Sequence, residues 1–66
     1  MSYSTCIKDL RQKQNMTQNE AANAIGVSSS AWKKYETGKR TPRDDIKIKI
    51  AALLDSSVQT IFFADV

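Results

Sequence analysis

The sequence predicts an all-α protein in which residues 1–66 form one domain of five short helices. Apolar residues recur at helical spacing, and Ser or Thr caps and Gly stops separate the segments. The chain has only two Gly and one Pro, which argues against a turn-rich β fold. A chain of 66 residues buries only about 60% of its unfolded surface, so we expect dimerisation to add stability.

The charge of the chain is uneven and mildly favours a polyanionic partner. Ten basic and seven acidic residues give a net charge of +3. Half of the basic residues lie between residues 33 and 43, where Glu36 is the one acid. They are Lys33, Lys34, Lys39, Arg40 and Arg43.

The residue types present disfavour several classes of function. The chain has no His and a single Cys, Cys6, so we expect no disulfide, no metal site and no cofactor. Without a nucleophile–base pair we expect no catalytic residues, no enzyme and no small-molecule ligand. The N-terminus lacks the apolar run of a signal peptide and no stretch resembles a membrane span, so we expect no membrane partner and a cytoplasmic protein.

The first predicted helix is capped by Ser4 or Thr5 and runs to about Asn15. Ile7 and Leu10 give it an apolar stripe at spacing i, i+3. The residues Thr17-Gln18-Asn19-Glu20 then form a capping box, in which the Thr17 hydroxyl and the Glu20 carboxylate exchange hydrogen bonds with backbone amides. The second helix therefore runs from Gln18 to about Ile25 and stops at Gly26. Its inward residues are Ala21, Ala22 and Ile25.

Ser28 is suited to cap the third helix, which ends at Gly38. Trp32 and Tyr35, three residues apart, share one side of this helix, and we expect both in the core. A polar set occupies the other side. Its members are Ser29, Ser30, Lys33, Lys34 and Thr37.

Residues 44–55 allow two interpretations. Ile46, Ile48 and Ile50 alternate with lysines, as in a half-buried strand. The acidic start, the continuation as AALL and the lack of a second strand favour a fourth helix, beginning near Pro42. Ser56 or Ser57 then caps a last short helix from Val58 to about Phe63.

Residues 16–42 read MTQ-x2-AA-x2-IGVS-x-S-x-W-x2-YE-x-GKR-x-P, and this pattern closely resembles the helix-turn-helix family of phage repressors and Cro proteins, the XRE type. The similarity extends from residues 7–11 to residues 57–62. It implies a lambda-repressor-like domain in which helices 2 and 3 form the helix-turn-helix. Trp32 and Tyr35 depart from the family, which usually places Ile, Val or Leu there. The resemblance also implies a buried ion pair between Arg11 and Glu36.

The resemblance implies a bacterial or phage-encoded regulator that binds double-stranded DNA, with the third helix in the major groove. The base-contacting positions are Ser29, Ser30 and Lys34. The backbone-contacting positions are Gln18, Ser28, Lys33, Thr37, Lys39, Arg40 and Arg43. A serine hydroxyl can donate or accept, so Ser29 and Ser30 discriminate weakly between bases. Lys34 is therefore the best candidate for sequence selectivity, through a contact with a guanine. Alternatively, Lys33 and Lys34 form a solvated positive face that meets only phosphates.

Family members bind two-fold operators as dimers, so we expect a homodimer, at least on DNA. The surface left for it is residues 59–66, with Ile61 and Phe63 as the predicted dimer contact; Phe62 and Phe63 are equally suited to the core. Ile46 and Ile48 are a second candidate patch. Because nothing follows the helical segments, a Cro-like or controller protein is favoured. The alternative function is a protein-interaction module, such as an antirepressor or antitoxin, on the same fold.

Overall fold

The computed structural model describes residues 2–63, and these residues fold into five helices without any strand. The helices are α1 (Tyr3–Lys13), α2 (Gln18–Ala24), α3 (Ser29–Glu36), α4 (Asp44–Leu53) and α5 (Val58–Phe62). The predicted all-α class is confirmed, and the alternating isoleucines of residues 44–55 are helical. None of these helices combines the length and the apolar character needed to cross a membrane.

The local signals at the ends of α2 act as the sequence predicts. The Thr17 amide donates to Glu20 Oε1 at 2.8 Å, and the Glu20 amide donates to Thr17 Oγ1 at 3.1 Å, which completes the capping box. Gly26 follows the helix with a φ of 74°, a left-handed conformation that glycine adopts without steric cost. The capping box thus fixes the start of α2, and the left-handed Gly26 forms the turn that leads to α3.

Helices α3 and α5 are also capped by serines. The Ala31 amide donates to Ser28 Oγ at 3.0 Å, and the Thr60 amide donates to Ser57 Oγ at 3.0 Å. Gly38, with a φ of 75°, lies just beyond α3 and ends it. The chain then leaves α3 as an exposed basic loop, residues 39–41.

Two predicted helix starts are wrong by a few residues. Helix α1 is capped by Ser2 rather than by Ser4 or Thr5, because the Ser2 hydroxyl accepts a hydrogen bond from the Thr5 amide, and Ser4 lies within the helix, half-buried beside Gly38. It ends at Lys13, before Asn15, whose φ of 58° is left-handed. Pro42 is buried ahead of α4, and Arg43 takes the N-cap position.

The core draws on all five helices, and α1 joins its two halves because it packs against both α3 and α5. Its largest fully buried side chains are Trp32, Ile7, Ile50 and Leu54. Helix α4 directs Ile46 and Ile50 inward, at i and i+4, and leaves Ile48 exposed. Trp32 and Tyr35 are both buried, so their predicted place in the core is confirmed.

The predicted dimer contact needs a correction at Ile61. This side chain is only 2% exposed, because α5 directs it into the core. It therefore offers almost no surface to a second copy. Phe62 is half-buried against the core, whereas Phe63 is exposed. The last residues of the predicted dimer surface, 64–66, lie outside the described residues.

Candidate nucleic-acid interface

The outer face of α3 is polar and exposed. Ser30, Lys33 and Lys34 are exposed, and Ser29 is partly exposed. Within residues 2–63, none of these four side chains forms a hydrogen bond or an ion pair. The hydroxyl and ammonium donors of these side chains are therefore available to a partner, and the two lysines carry positive charge. This face can present hydroxyl and ammonium groups to an anionic or hydrogen-bonding ligand.

The two hydroxyls at the ends of α3 are already engaged. Ser28 Oγ accepts from the Ala31 amide, which leaves its own hydrogen free to donate. Thr37 Oγ1 instead donates its single hydrogen back to the Lys33 carbonyl oxygen at 3.0 Å. A phosphate oxygen only accepts hydrogen bonds. Ser28 can therefore donate to a phosphate without rearrangement, whereas Thr37 must first rotate its hydroxyl.

A basic loop after α3 extends the polar face. Lys39, Arg40 and Arg43 are exposed, and Arg43 makes only a long contact, 3.8 Å, to Asp45 between exposed side chains. The Tyr3 hydroxyl donates to the Arg40 carbonyl oxygen at 3.0 Å, so α1 ties down the loop backbone. No periodicity in the sequence indicates this contact, because it joins residues 37 positions apart.

Behind the outer face, Arg11 and Glu36 form an ion pair. Arg11 Nε lies 2.6 Å from Glu36 Oε2, and Arg11 Nη2 donates to Glu36 Oε1 at 3.2 Å. Both residues are 8% exposed. Arg11 Nη1 also donates to the Met16 carbonyl oxygen at 2.7 Å, at the start of the helix-turn-helix. The pair therefore connects α1 to the C-terminal end of α3 and to the entry of α2.

Two further donors complete this buried cluster, and the sequence did not predict either. The Trp32 indole N–H donates to Glu36 Oε2, and Gln18 Nε2 donates to Glu36 Oε1 at 3.1 Å. Four hydrogen bonds thus converge on one carboxylate, and no buried side-chain polar atom of residues 2–63 lacks a partner. The cluster gives Trp32 a polar role in the core.

The same cluster controls the charge of Glu36. Burial by itself would raise the pKa of this carboxyl group, because it removes water from the charged form. Hydrogen bonds from Arg11, Trp32 and Gln18, with the positive charge of Arg11, outweigh burial and hold the pKa below its ordinary value. Glu36 is therefore ionised at neutral pH and can anchor three helices.

Gln18 occupies the boundary between this cluster and the surface. It is half-buried, and its amide nitrogen carries two hydrogens, of which one is used on Glu36. The other remains available for a ligand beside the outer face of α3. The ion pair thus orients a predicted DNA-contacting side chain. Among residues 2–63, no group of three or more His, Cys, Asp or Glu side chains is arranged to hold a metal ion.

Residues 7–61 match the family model described as helix-turn-helix. The chain is 38% identical over 61 residues to an uncharacterized HTH-type transcriptional regulator of Archaeoglobus fulgidus, covering 92% of this chain and 86% of that protein. It is 37% identical over 49 residues to the cryptic phage CTXphi transcriptional repressor RstR of Vibrio cholerae, covering 74% of this chain and 44% of RstR. The matched part is thus less than half of RstR. No solved structure matches the chain significantly.

Proposed function

The chain belongs to the helix-turn-helix family of transcriptional regulators, and we propose that it binds double-stranded operator DNA as a dimer, with α3 in the major groove. The observation that carries the proposal is the outer face of α3. It is a row of hydroxyls and ammonium groups without partners among residues 2–63, flanked by a basic loop. A duplex offers base edges to the row and phosphates to the loop.

In this proposal Lys34 contacts a base and provides sequence selectivity, whereas Ser29 and Ser30 contribute little selectivity. A lysine donates to O6 and N7 of guanine, whereas Ser29 and Ser30 can donate or accept and so discriminate weakly. Selectivity beyond Lys34 then comes from bridging water or from the shape of the DNA.

The phosphate contacts of the proposal surround this row. Lys33, Lys39, Arg40 and Arg43 supply positive charge, and Gln18 and Ser28 supply the hydrogens that the cluster and the cap leave free. Thr37 joins them only after its hydroxyl rotates away from the Lys33 carbonyl. Two copies on half-sites about 34–36 Å apart contact enough DNA for selective binding. By analogy with RstR, whose name states repression, we propose that the bound dimer represses transcription.

The test is selection of bound sites from a random duplex pool, followed by titrations at increasing salt. The proposal expects a two-fold consensus, and the logarithm of the binding constant falling with the logarithm of salt concentration by about 0.9 per phosphate contact. No binding at low salt would exclude it. That result would favour the protein-interaction module as the function of this fold.

A pair of variants separates base reading from phosphate contact. Lys34→Ala should lower affinity for the selected site more than for random DNA, by about 1–3 kcal/mol of discrimination. Its matched control, Lys39→Ala, should weaken both alike and reduce the salt slope by about one contact. An unchanged specificity ratio in Lys34→Ala would leave this lysine as a phosphate contact only.

A further inference from the structure

The basic loop after α3, residues 39–41, lies against the first turn of α1. The Tyr3 hydroxyl donates to the Arg40 carbonyl oxygen at 3.0 Å. Ser4, the next residue of α1, is half-buried beside Gly38, the residue that precedes the loop. The start of α1 is therefore in contact with the segment that carries the positive charges of Lys39 and Arg40.

Few backbone hydrogen bonds fix the basic loop. At its start, the amides of Lys39 and Arg40 both donate to the Lys34 carbonyl oxygen, at 3.0 Å and 3.4 Å. After that point, no backbone amide of residues 2–63 donates to the Arg40 carbonyl oxygen, and the Thr41 amide has no backbone acceptor there. Within residues 2–63, the Tyr3 hydroxyl is therefore the hydrogen-bond partner of the loop that lies outside α3.

The Tyr3 side chain is itself fixed by packing. Its ring centroid lies 5.6 Å from that of Phe62 on α5, and the two ring planes are tilted by 32°. Both side chains are half-buried and pack against the core. The ring of Tyr3 thus contacts α5 while its hydroxyl binds the loop. A donor on a packed ring restricts the backbone at Arg40 more than a freely rotating surface side chain would.

The charged side chains of the loop are available to an anion. Lys39 and Arg40 are exposed, and no carboxylate of residues 2–63 forms an ion pair with either. A mobile loop loses conformational freedom when it contacts a phosphate backbone, and that loss lowers the affinity. A loop that is already ordered in the free protein avoids this cost, so the backbone contact at Arg40 bears directly on binding.

We propose that Tyr3 is a positioning residue for duplex binding, which orders the basic loop through the Arg40 carbonyl and so presents Lys39 and Arg40 to the phosphate backbone. Tyr3 acts through the loop and does not contact the DNA itself. The inference rests on the proposed function and adds to it a residue outside the DNA-contacting positions. Because phosphates are the same at every sequence, Tyr3 raises the affinity for all duplexes alike.

The first experiment measures duplex binding by Tyr3→Phe, which removes the hydroxyl and keeps the ring against Phe62. The dissociation constants for the selected site and for random duplex should both rise by the same factor, about threefold to tenfold. The salt slope should not change, because the bound loop still contacts the same phosphates. The control is Thr5→Val, which removes an exposed hydroxyl of α1 that contacts Ser2 and not the loop, and it should bind as wild type does. Equal affinities of Tyr3→Phe and wild type would overturn the proposal.

The second experiment measures the order of the loop without DNA. Backbone ¹⁵N relaxation should show lower order parameters at residues 39–41 in Tyr3→Phe than in wild type, and no change in Thr5→Val. A role of Tyr3 in stability alone would lower the melting temperature but would leave loop order and affinity unchanged at temperatures where both proteins are folded. Unchanged order parameters in Tyr3→Phe would therefore contradict the positioning role.

The third experiment asks whether Tyr3 acts through the loop. In a protein that carries both Lys39→Ala and Arg40→Ala, adding Tyr3→Phe should have no further effect on the dissociation constant, since the charges that it positions are gone. The same loss in that background as in wild type would mean that the hydroxyl contacts DNA directly, and it would refute the positioning role.

The two proposals fail in different ways. Wild-type protein that binds no duplex at low salt refutes the proposed function and, with it, this role of Tyr3. Wild-type protein that binds duplex no better than Tyr3→Phe refutes the role of Tyr3 alone.

Discussion

The two faces of α3 differ in how much of their chemistry is already used. On the inner face, Trp32, Tyr35 and Glu36 are buried, and the Glu36 carboxylate accepts four hydrogen bonds. On the outer face, Ser30, Lys33 and Lys34 are exposed and make no side-chain hydrogen bond within residues 2–63. One helix of eight residues therefore carries a side on which every buried polar side-chain atom has a partner and a side on which these three side chains have none within residues 2–63.

This difference separates two kinds of mutational effect. Inner-face substitutions remove contacts that hold α1, α2 and α3 together, so they lower the free energy of unfolding. Outer-face substitutions remove groups without contacts in the protein, so they should alter ligand binding alone. Gln18 connects the two, because its half-buried amide donates one hydrogen to Glu36 and makes no further hydrogen bond within residues 2–63.

The largest expected effect is that of Glu36→Ala. It leaves the Arg11 guanidinium buried without its partner and removes the acceptor of Trp32 and Gln18, so it should lower the free energy of unfolding by about 3–5 kcal/mol. Urea denaturation followed by circular dichroism measures this. Asp9→Asn, at an exposed acid of α1, is the control and should change stability by less than about 0.5 kcal/mol. A loss in Glu36→Ala no larger than in the control would show that the cluster does not stabilise the fold.

A smaller loss is expected for Trp32→Phe. Phenylalanine keeps an aromatic ring in the core but has no N–H for Glu36, and the smaller ring leaves unfilled volume. We expect a loss of about 1–3 kcal/mol, less than for removing the carboxylate. Pairing Trp32→Phe with Glu36→Ala, which removes the acceptor, in a double-mutant cycle measures the coupling between the two side chains. Strictly additive losses would contradict a direct indole–carboxylate interaction.

A pH titration tests how much the charge of Glu36 stabilises the fold, without any substitution on the inner face of α3. Because the pKa of Glu36 is lower in the folded than in the unfolded protein, the unfolded protein binds the proton more tightly. The stabilisation is complete above the ordinary glutamate pKa and is lost as pH falls through the lower, folded value. Free energies of unfolding between pH 7 and pH 3 should therefore fall, and Glu36→Gln should flatten part of that fall. An equally steep profile in Glu36→Gln would assign the acid sensitivity to other carboxylates, such as Glu20, whose pKa is lowered by hydrogen bonds from Thr17.

The smallest stability effect is expected on the outer face. Ser30→Ala and Lys33→Ala remove side chains that make no contact through their polar ends, so each should change the free energy of unfolding by less than about 0.5 kcal/mol. The measurement is the same urea denaturation, run beside duplex-binding titrations. If either variant destabilised the fold as much as Trp32→Phe, the separation between the two faces would not hold.

Local chemistry made much of the fold predictable. The Thr17–Glu20 capping box, the Ser28 cap and the glycines at 26 and 38 depend on residues within one helical turn, and the structure has them where the sequence predicts them. The burial of Trp32 and Tyr35 follows from helical spacing. The alternating isoleucines of residues 44–55 fit a strand or a helix by local pattern. The lack of a second strand to pair with favours the helix, and the structure has a helix there.

The long-range contacts could not be predicted from pattern. The hydrogen bonds that Glu36 accepts from Trp32 and Gln18, and the one that Arg40 accepts from Tyr3, depend on how the helices cross. The inward direction of Ile61 depends on the rotation of α5 about its own axis. That rotation removes Ile61 from the expected dimer contact, while Phe63 stays exposed.

By itself, the sequence determined the five helices, the caps of α2, α3 and α5 and the family to which the chain belongs, because these depend on neighbours along the chain. The tertiary structure decided which side chains remain free. In the folded protein, Glu36, Trp32 and one hydrogen of the Gln18 amide are bonded to one another inside the molecule. The polar side chains on the outer face of α3 remain unpaired among residues 2–63, and Ile48 and Phe63 remain exposed. The physical reason is burial, since a polar or apolar group becomes available to a partner only if packing has not already satisfied it.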